Sequence, residues 1–452
     1  MSFICVGLLI MTLFAQTLVE APSTTAWARF DKYARRIRSA VLRDNQRPLF
    51  HVEKSLLVPA WSVDWDSVLE YYPGHQLLTS LTHLSYDIRP DAQYAHVFLK
   101  PPLRNLSVMF SSRSSAVTLL KALSACAQTL CKLRLTKLGD DTLTLDALDH
   151  FASLPTLKYL SFEVSVPVAL VDQFISTPLH FPALETVCFL THWVNFESFG
   201  HLMHKISAPE LQHLTIEFDT PEPFVQSRVP HPSAAHVDYL FAAIAKFPSL
   251  TMLEICQCGT ERRSMWHDAR IDRSILSQLF QLQNLDSIDL SLIPITLSSL
   301  DMGAIASAWP NLMFLNLGDC AGRGVPGIHI EDLVPFALQC PKLKTLGLSL
   351  KIPSPRKPQC ELAVFQSTSA LEQLYISDLG LRFSADDAVV LATLFPQARL
   401  ARHVGYEDED EDEVDVVDIE QMNSTMRAVS WLMQQRRVLC PCGSLSLTTK
   451  DI

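Results

Sequence analysis

Between Leu103 and Ile216 the apolar positions fall into one recurring phrase: a leucine, two variable residues, an apolar residue, one variable residue, another apolar residue. The phrase reads LRNLSV at Leu103, LCKLRL at Leu130, LKYLSF at Leu157, LETVCF at Leu184 and LQHLTI at Leu211, each 27 residues after the last. In an extended chain, residues two apart point to one face, so the last two apolar positions of each phrase share a side. The pattern therefore predicts one short strand per phrase, with the leading leucine packing inward at the bend before it. The variable residues between them face the opposite, solvated side.

Further copies stand at Leu81 (LTHLSY), Leu250 (LTMLEI), Leu285 (LDSIDL), Leu312 (LMFLNL), Leu343 (LKTLGL) and Leu371 (LEQLYI), with a weaker one, IRSAVL, at Ile37. Steps of 39 and 35 residues before Leu250 and Leu285 hold loop-like inserts. A self-similar period in the twenties with this form is the signature of a leucine-rich repeat. One such strand cannot bury its apolar side alone, so successive copies must stack in parallel. The expected fold class is α/β, a leucine-rich-repeat solenoid or horseshoe with a parallel inner sheet and outer helices. Eleven strands about 4.8 Å apart give an inner arc of roughly 50 Å, a surface suited to a protein ligand.

Helical spacing fills the stretches between strands. It appears at Ser115 to Ala127 and at Ala234 to Phe247, where Tyr239, Leu240 and Ile244 share a face. Trp61 to Tyr72 suits a short amphipathic segment ended by Pro73-Gly74, and Pro221 to Pro232 and Pro353 to Pro358 read as loops. Ala28 to Leu42 keeps a helical period through Phe30, Tyr33, Ala34 and Ile37. Val416 to Leu439 again reads as a helix, with Arg436-Arg437 at its C-terminal end, and is expected to cap the stack.

Trp27, Arg29, Phe30, Asp31, Tyr33, Ala34, Arg35, Arg36, Ile37, Arg38 and Ser39 form a W-x-R-F-D-x-Y-A-R-R-I-R-S stretch that leads into the repeats. Openings such as Phe181-Pro182-Ala183-Leu184 and Phe247-Pro248-Ser249-Leu250 follow, then a closing Leu394-Phe395-Pro396 and an acidic tail. This combination resembles the F-box/leucine-rich-repeat proteins of mushroom-forming fungi (basidiomycetes), and the resemblance covers the chain from Trp27 onward. It implies a substrate receptor of an SCF-type ubiquitin ligase. In that family an F-box opening with a leucine-proline pair precedes the tryptophan and grips a Skp-type adaptor. Here 26 residues precede Trp27 and contain no such pair, so the F-box is expected to be missing or truncated. A Skp-type adaptor and cullin are partners only if an F-box is present.

The boundaries that follow are an apolar leader over 1–26, a leading helix and N-terminal cap over 27–75, the solenoid over 76–400, an acidic flexible segment over 401–420 and a C-terminal helix and tail over 421–452. The leader is apolar from Phe3 to Val19 but has no Lys or Arg before it, and it is short for a membrane span. It is read as a packing helix, the remnant of a truncated F-box region or an artefact of the gene's first exon, with a signal peptide as the alternative.

Composition narrows the function. The net charge is −11, but ten acids lie between Glu407 and Glu420, and without them the chain carries −1 (−11 + 10). A nearly neutral body without a basic stripe argues against nucleic acid as a partner. Eleven scattered cysteines suggest a reducing compartment, cytoplasmic or nuclear. Cys188, Cys256 and Cys320, inside repeat phrases, are expected in a buried ladder.

Candidate chemistry is sparse. Gly322-Arg323-Gly324-Val325-Pro326-Gly327 matches a dinucleotide loop, but no acid follows between Leu333 and Cys360 and Pro326 spoils the helix start. His231 with His236 would need further ligands nearby, Cys440 with Cys442 are too few for a zinc site, and Cys256 is expected to face the concave side while Cys258 turns inward. No catalytic, metal or cofactor constellation comes forward, and the chain is expected not to be an enzyme.

The expected function is therefore a non-enzymatic protein-recognition scaffold binding its partner on the concave face. Its candidate residues there are Tyr159, Glu163, His213, Glu217, Met252, Glu254, Asp289, Phe314 and Tyr375, aromatic and apolar anchors mixed with acids that suit a basic peptide. The alternative is a secreted or membrane-tethered leucine-rich-repeat receptor, which predicts cleavage near Ala21 and glycan at Asn105 or Asn423.

Overall fold

The computed structural model describes residues 38–43, 56–59, 79–88, 99, 102–110, 123, 126–138, 145–164, 178–191, 196–219, 233–258, 271–291, 293, 295–317, 328–348, 350, 369–376, 385–402 and 423–431, with 25, 32, 35 and 36. They fall into two compact units, residues 1–191 with 205–210, and residues 192–204 with 211–452. Each is built on parallel strands of the leucine-rich-repeat type.

In the first unit the strands are β1 (Ser39–Arg43), β2 (Leu56–Pro59), β3 (His83–Ile88), β4 (Asn105–Phe110), β5 (Lys132–Leu138), β6 (Tyr159–Val164), β7 (Leu179–His180), β8 (Thr186–Thr191) and β9 (Ile206–Ser207), with helix α1 at Leu145–Ala152. Their order is β8-β6-β5-β4-β3-β1-β2, while β7 pairs with β9 apart from the others. Every pairing is parallel, so the register stacks like on like: Leu84, Leu106, Leu133, Leu160 and Val187 form one buried row. Val108, Leu135, Phe162 and Phe189 form the next, with Phe162 and Phe189 stacked at 5.9 Å and Phe151 of α1 tilted onto Phe162 at 5.7 Å. Each leucine withdrawn from water contributes about 1.5–3 kcal/mol, and only the neighbouring repeat supplies the cover.

The step from one repeat to the next has its own hydrogen bonds. Two consecutive amides donate to a single carbonyl of the preceding repeat: Cys131 and Lys132 to Arg104, Lys158 and Tyr159 to Cys131, Glu185 and Thr186 to Lys158. Turn threonines add a tie, Thr129 Oγ1 to the Leu103 carbonyl at 2.8 Å and Thr156 Oγ1 to the Leu130 carbonyl at 3.0 Å. Backbone polar groups at the bend are thereby satisfied, which a buried turn requires.

The second unit holds β10 (His213–Asp219), β11 (Met252–Cys258), β12 (Ser287–Asp289), β13 (Phe314–Asn316), β14 (Thr345–Leu348), β15 (Gln373–Ile376) and β16 (Arg399–Arg402), paired in sequence order. Its helices are α2 (Phe196–Lys205, within this unit through His204), α3 (Ala234–Ile244), α4 (Arg273–Leu276), α5 (Ser299–Ala308), α6 (Val334–Gln339) and α7 (Ala385–Leu394). Leu214, Leu253, Ile288, Leu315, Leu346, Leu374 and Leu400 stack as its inward row. The leading leucines close a tight turn before the strand, Leu250 donating to the Phe247 carbonyl, Leu312 to Trp309 and Leu343 to Cys340. This is why the x-P-x-L openings recur: proline fits the turn and leucine drops into the core.

Helix starts are capped. Ser298 donates through both its amide (2.7 Å) and its hydroxyl (2.6 Å) to the Asp301 carboxylate at the head of α5, a reciprocal box that holds a nearly buried acid. Tyr239 of α3 lies against Gly200 of α2, where a Cβ would stand 2.6 Å from the ring, and between His201 and His204.

All twelve phrases, the weak copy at Ile37 included, carry a strand that begins at their third residue. The α3 helix matches the spacing read over 234–247. One expectation needs correction: the helix read through Leu42 does not extend that far, because Ser39–Arg43 is strand β1, paired with β2 and β3. Pairing in register with both β2 and β3 gives the β1 backbone partners on either side, and a helical turn would forgo them. The apolar run 3–19, the 61–72 segment, the glycine loop 322–327, the loops 221–232 and 353–358, the acidic run 407–413, and His231, Cys320, Cys440 and Cys442 lie outside the described residues.

Candidate functional site: the outward strand faces

The strand alternation that buries the leucines turns the intervening side chains to the other face. Tyr159, Glu163, His213, Glu217, Met252, Glu254, Asp289, Phe314 and Tyr375 are all half-buried at such outward positions. Tyr159 and Glu163 belong to the first unit and share β6. The other seven belong to the second unit.

Within the second unit, register groups them into rungs. His213, Met252, Ser287, Phe314, Thr345, Gln373 and Arg399 are successive partners in one; Thr215, Glu254, Asp289, Asn316, Gly347, Tyr375 and Ala401 in the next; Glu217 pairs with Cys256 in a third. Met252 and Phe314 thus flank Ser287 in the first rung, and Glu254 and Asp289 adjoin in the second. Their carboxylates are already engaged nearby. Thr215 Oγ1 donates to Glu254 at 2.9 Å, and the Ser291 amide donates to Asp289 Oδ1 at 2.9 Å. Tyr375 donates its hydroxyl to Gln373 Oε1 at 2.9 Å. Asn316 leans over its strand partner Gly347 and is nearly buried, because the glycine leaves room that a Cβ would fill.

The first unit has a different face. One rung runs Ser39, His83, Asn105, Lys132, Tyr159, Thr186; the next runs Val41, Ser85, Ser107, Arg134, Ser161, Cys188. The Lys132 ammonium sits 4.0 Å from the centre of the Tyr159 ring, a cation–π contact. Small serines beside larger side chains leave a shallow hollow of about 270 Å³, lined by Ser39, His83, Ser85, Asn105, Ser107, Lys132, Arg134 and the edges of Leu84 and Leu106. Sequence reading missed this group. The signal was present, since Lys132 and Arg134 occupy the variable positions of LCKLRL, but that reading weighted aromatic and acidic residues and overlooked the basic pair.

The thiols also correct an expectation. Cys188 is half-buried on the outward side of β8, not in the apolar ladder, because it occupies a variable position of its phrase; Cys256, one residue past its phrase, is half-buried on the outward side of β11, where its contrast with Cys258 places it. The buried thiols are Cys126 and Cys340, which sit in the bends before strands, Cys340 Sγ facing the Ala306 and Trp309 carbonyls at 3.7 Å. Burial pushes both thiols up to about 11. His236, weighed above as a metal ligand, instead closes the cap of α3: its Nδ1 accepts from the Ser233 amide, and its Nε2 lies 3.7 Å from Glu197. Among the described residues no group of three His, Cys, Asp or Glu side chains could hold a metal ion, and no helix is long and apolar enough to cross a membrane.

No protein-family model matches the chain, and no curated protein matches it in sequence. Among solved structures, it is similar to a chain in the crystal structure of the Rad7 and Elc1 complex in yeast, at 13% identity and a TM-score of 0.38, over 88% of this chain and 87% of that one.

Proposed function

We propose that the chain is a non-enzymatic recognition scaffold whose outward strand faces hold a partner protein, and that it serves as the substrate receptor of an SCF-type ubiquitin ligase. The observation that carries the first part is the half-covered state of Tyr159, Met252, Phe314 and Tyr375 on strands whose opposite side is fully buried. Rigid backbone presents these large side chains at low entropic cost, as interface anchors require. The ligase role is drawn from the sequence resemblance around Trp27 to Ser39. The reading also takes the protein to be cytoplasmic or nuclear.

A photo-crosslinking benzoylphenylalanine at Phe314 or Tyr375, set against one at the exposed Leu300 of α5, tests the face. Defined protein adducts from the strand positions and none from Leu300 support recognition there; equal adducts overturn it. For the ligase role, the chain is affinity-purified from cells with and without an added F-box. A Skp-type adaptor and cullin in the F-box sample support it, and their absence from both samples overturns it.

A further inference from the structure

We infer that the hollow of the first unit binds an extended acidic segment of the partner, with carboxylates at alternate positions; this rests on the recognition role proposed above. Three neighbouring strands each offer a pair of donors two residues apart: His83 and Ser85 on β3, Asn105 and Ser107 on β4, Lys132 and Arg134 on β5. Among the described residues no carboxylate lines the hollow. Lys132 and Arg134 are exposed, and neither makes an ion pair among the described residues. Two cations on one strand, with no counter-ion among the described residues, form a local positive field on a nearly neutral body, and that field selects an anion.

Spacing selects which anion. Residues two apart on a strand are separated by about 6.8 Å and point to the same side. An extended peptide with acids at i and i+2 repeats that distance, so one carboxylate falls to Lys132 and the next to Arg134. Register then supplies a second donor at each place. Asn105 stands beside Lys132 and Ser107 beside Arg134, about 4.8 Å away across the sheet. Each carboxylate has two oxygens, one for the cation and one for the neutral donor, and the Arg134 guanidinium offers a fork suited to a carboxylate. The Tyr159 ring, 4.0 Å from the Lys132 ammonium, anchors that end of the row.

The test is fluorescence anisotropy on the full chain with a labelled alternating Glu-Ala peptide, compared with alternating Gln-Ala and with a block peptide of the same number of glutamates. The Glu-Ala peptide should bind about tenfold more tightly than Gln-Ala, the sum of two part-exposed ion pairs, and more weakly as salt rises. Arg134→Glu and Lys132→Glu should each remove most of that preference, and the double reversal should favour an alternating Lys-Ala peptide instead. Arg134→Gln provides a milder variant should charge reversal disturb folding. Equal binding of Glu-Ala and Gln-Ala, equal binding of the alternating and block peptides, or indifference to Arg134→Glu overturns the inference. The crosslinks at Phe314 and Tyr375 read recognition without Lys132 or Arg134, so peptide failure with those adducts intact overturns this inference alone.

Discussion

Asn423 holds Leu400 by both of its backbone polar groups. The Leu400 amide donates to Asn423 Oδ1 at 2.8 Å, and Asn423 Nδ2 donates to the Leu400 carbonyl at 3.0 Å. Leu400 lies on β16, the last strand of its sheet, where open backbone groups would invite another chain. A side-chain amide has the donor and acceptor of a peptide group, so Asn423 does there what one more strand would do. It is held by a helix over 423–431 that buries Met426 and Val429.

Asn423→Ala should therefore cost about 1–3 kcal/mol, two lost hydrogen bonds with the strand groups left unanswered. Chemical denaturation measures the loss, and light scattering should show increased self-association through the freed edge. An unchanged midpoint with no association would mean that the helix alone protects β16.

Neighbouring residues of one strand should separate packing from recognition. Leu160 is 2% exposed in the inward row, whereas Tyr159 beside it is half-buried on the outward face. Leu160→Ala should destabilise the chain by about 2–5 kcal/mol, from lost burial and the cavity left behind. Tyr159→Ala should leave stability within about 1 kcal/mol and weaken partner capture instead.

Two glycines should respond with opposite sign. A Cβ at Gly347 would lie 2.6 Å from Asn316 Oδ1, so Gly347→Ala should destabilise by about 1–3 kcal/mol through displacement of that nearly buried amide. Gly303, within α5, has nothing within 4 Å of its would-be Cβ. Gly303→Ala should stabilise by about 0.5–1 kcal/mol, the conformational entropy the helix no longer loses. Thermal melts of the two variants should move in opposite directions.

The buried thiols set an alkaline limit. Cys126 and Cys340 are raised from 9.0 to about 11 because burial penalises the thiolate. Their contribution to stability is complete below about 9 and is lost as pH rises toward about 11, since the unfolded chain releases these protons first. Cys126→Ala and Cys340→Ala should each flatten the fall in stability across that window. Alkylation of the folded chain near neutral pH should mark Cys188 and Cys256 before either buried thiol.

The leucine phrase by itself determined the strands, their parallel stacking and which side chains point outward, because a period of two and a fixed inward row are local properties. Tyr159 and Phe314 could be placed on the outward face from that alternation alone. The same alternation places Cys188 there, and the expectation of a buried ladder for that residue ignored it. What stands beside an outward residue was not legible in the same way. That Asn105 neighbours Lys132, or Thr215 answers Glu254, depends on how each loop and helix brings the next strand into register, across steps as long as 39 residues. Asn423 as a surrogate strand is likewise a long-range outcome, reached only when distant segments pack, whereas the His236 cap is a local contact with Ser233 three residues before it. Ser39–Arg43 shows the same competition: its helical period is a local preference, and pairing with β3 overrode it. Tertiary structure alone decided these neighbours, since a polar side chain takes whichever partner folding places within hydrogen-bond reach, and nothing in its own sequence neighbourhood names that partner.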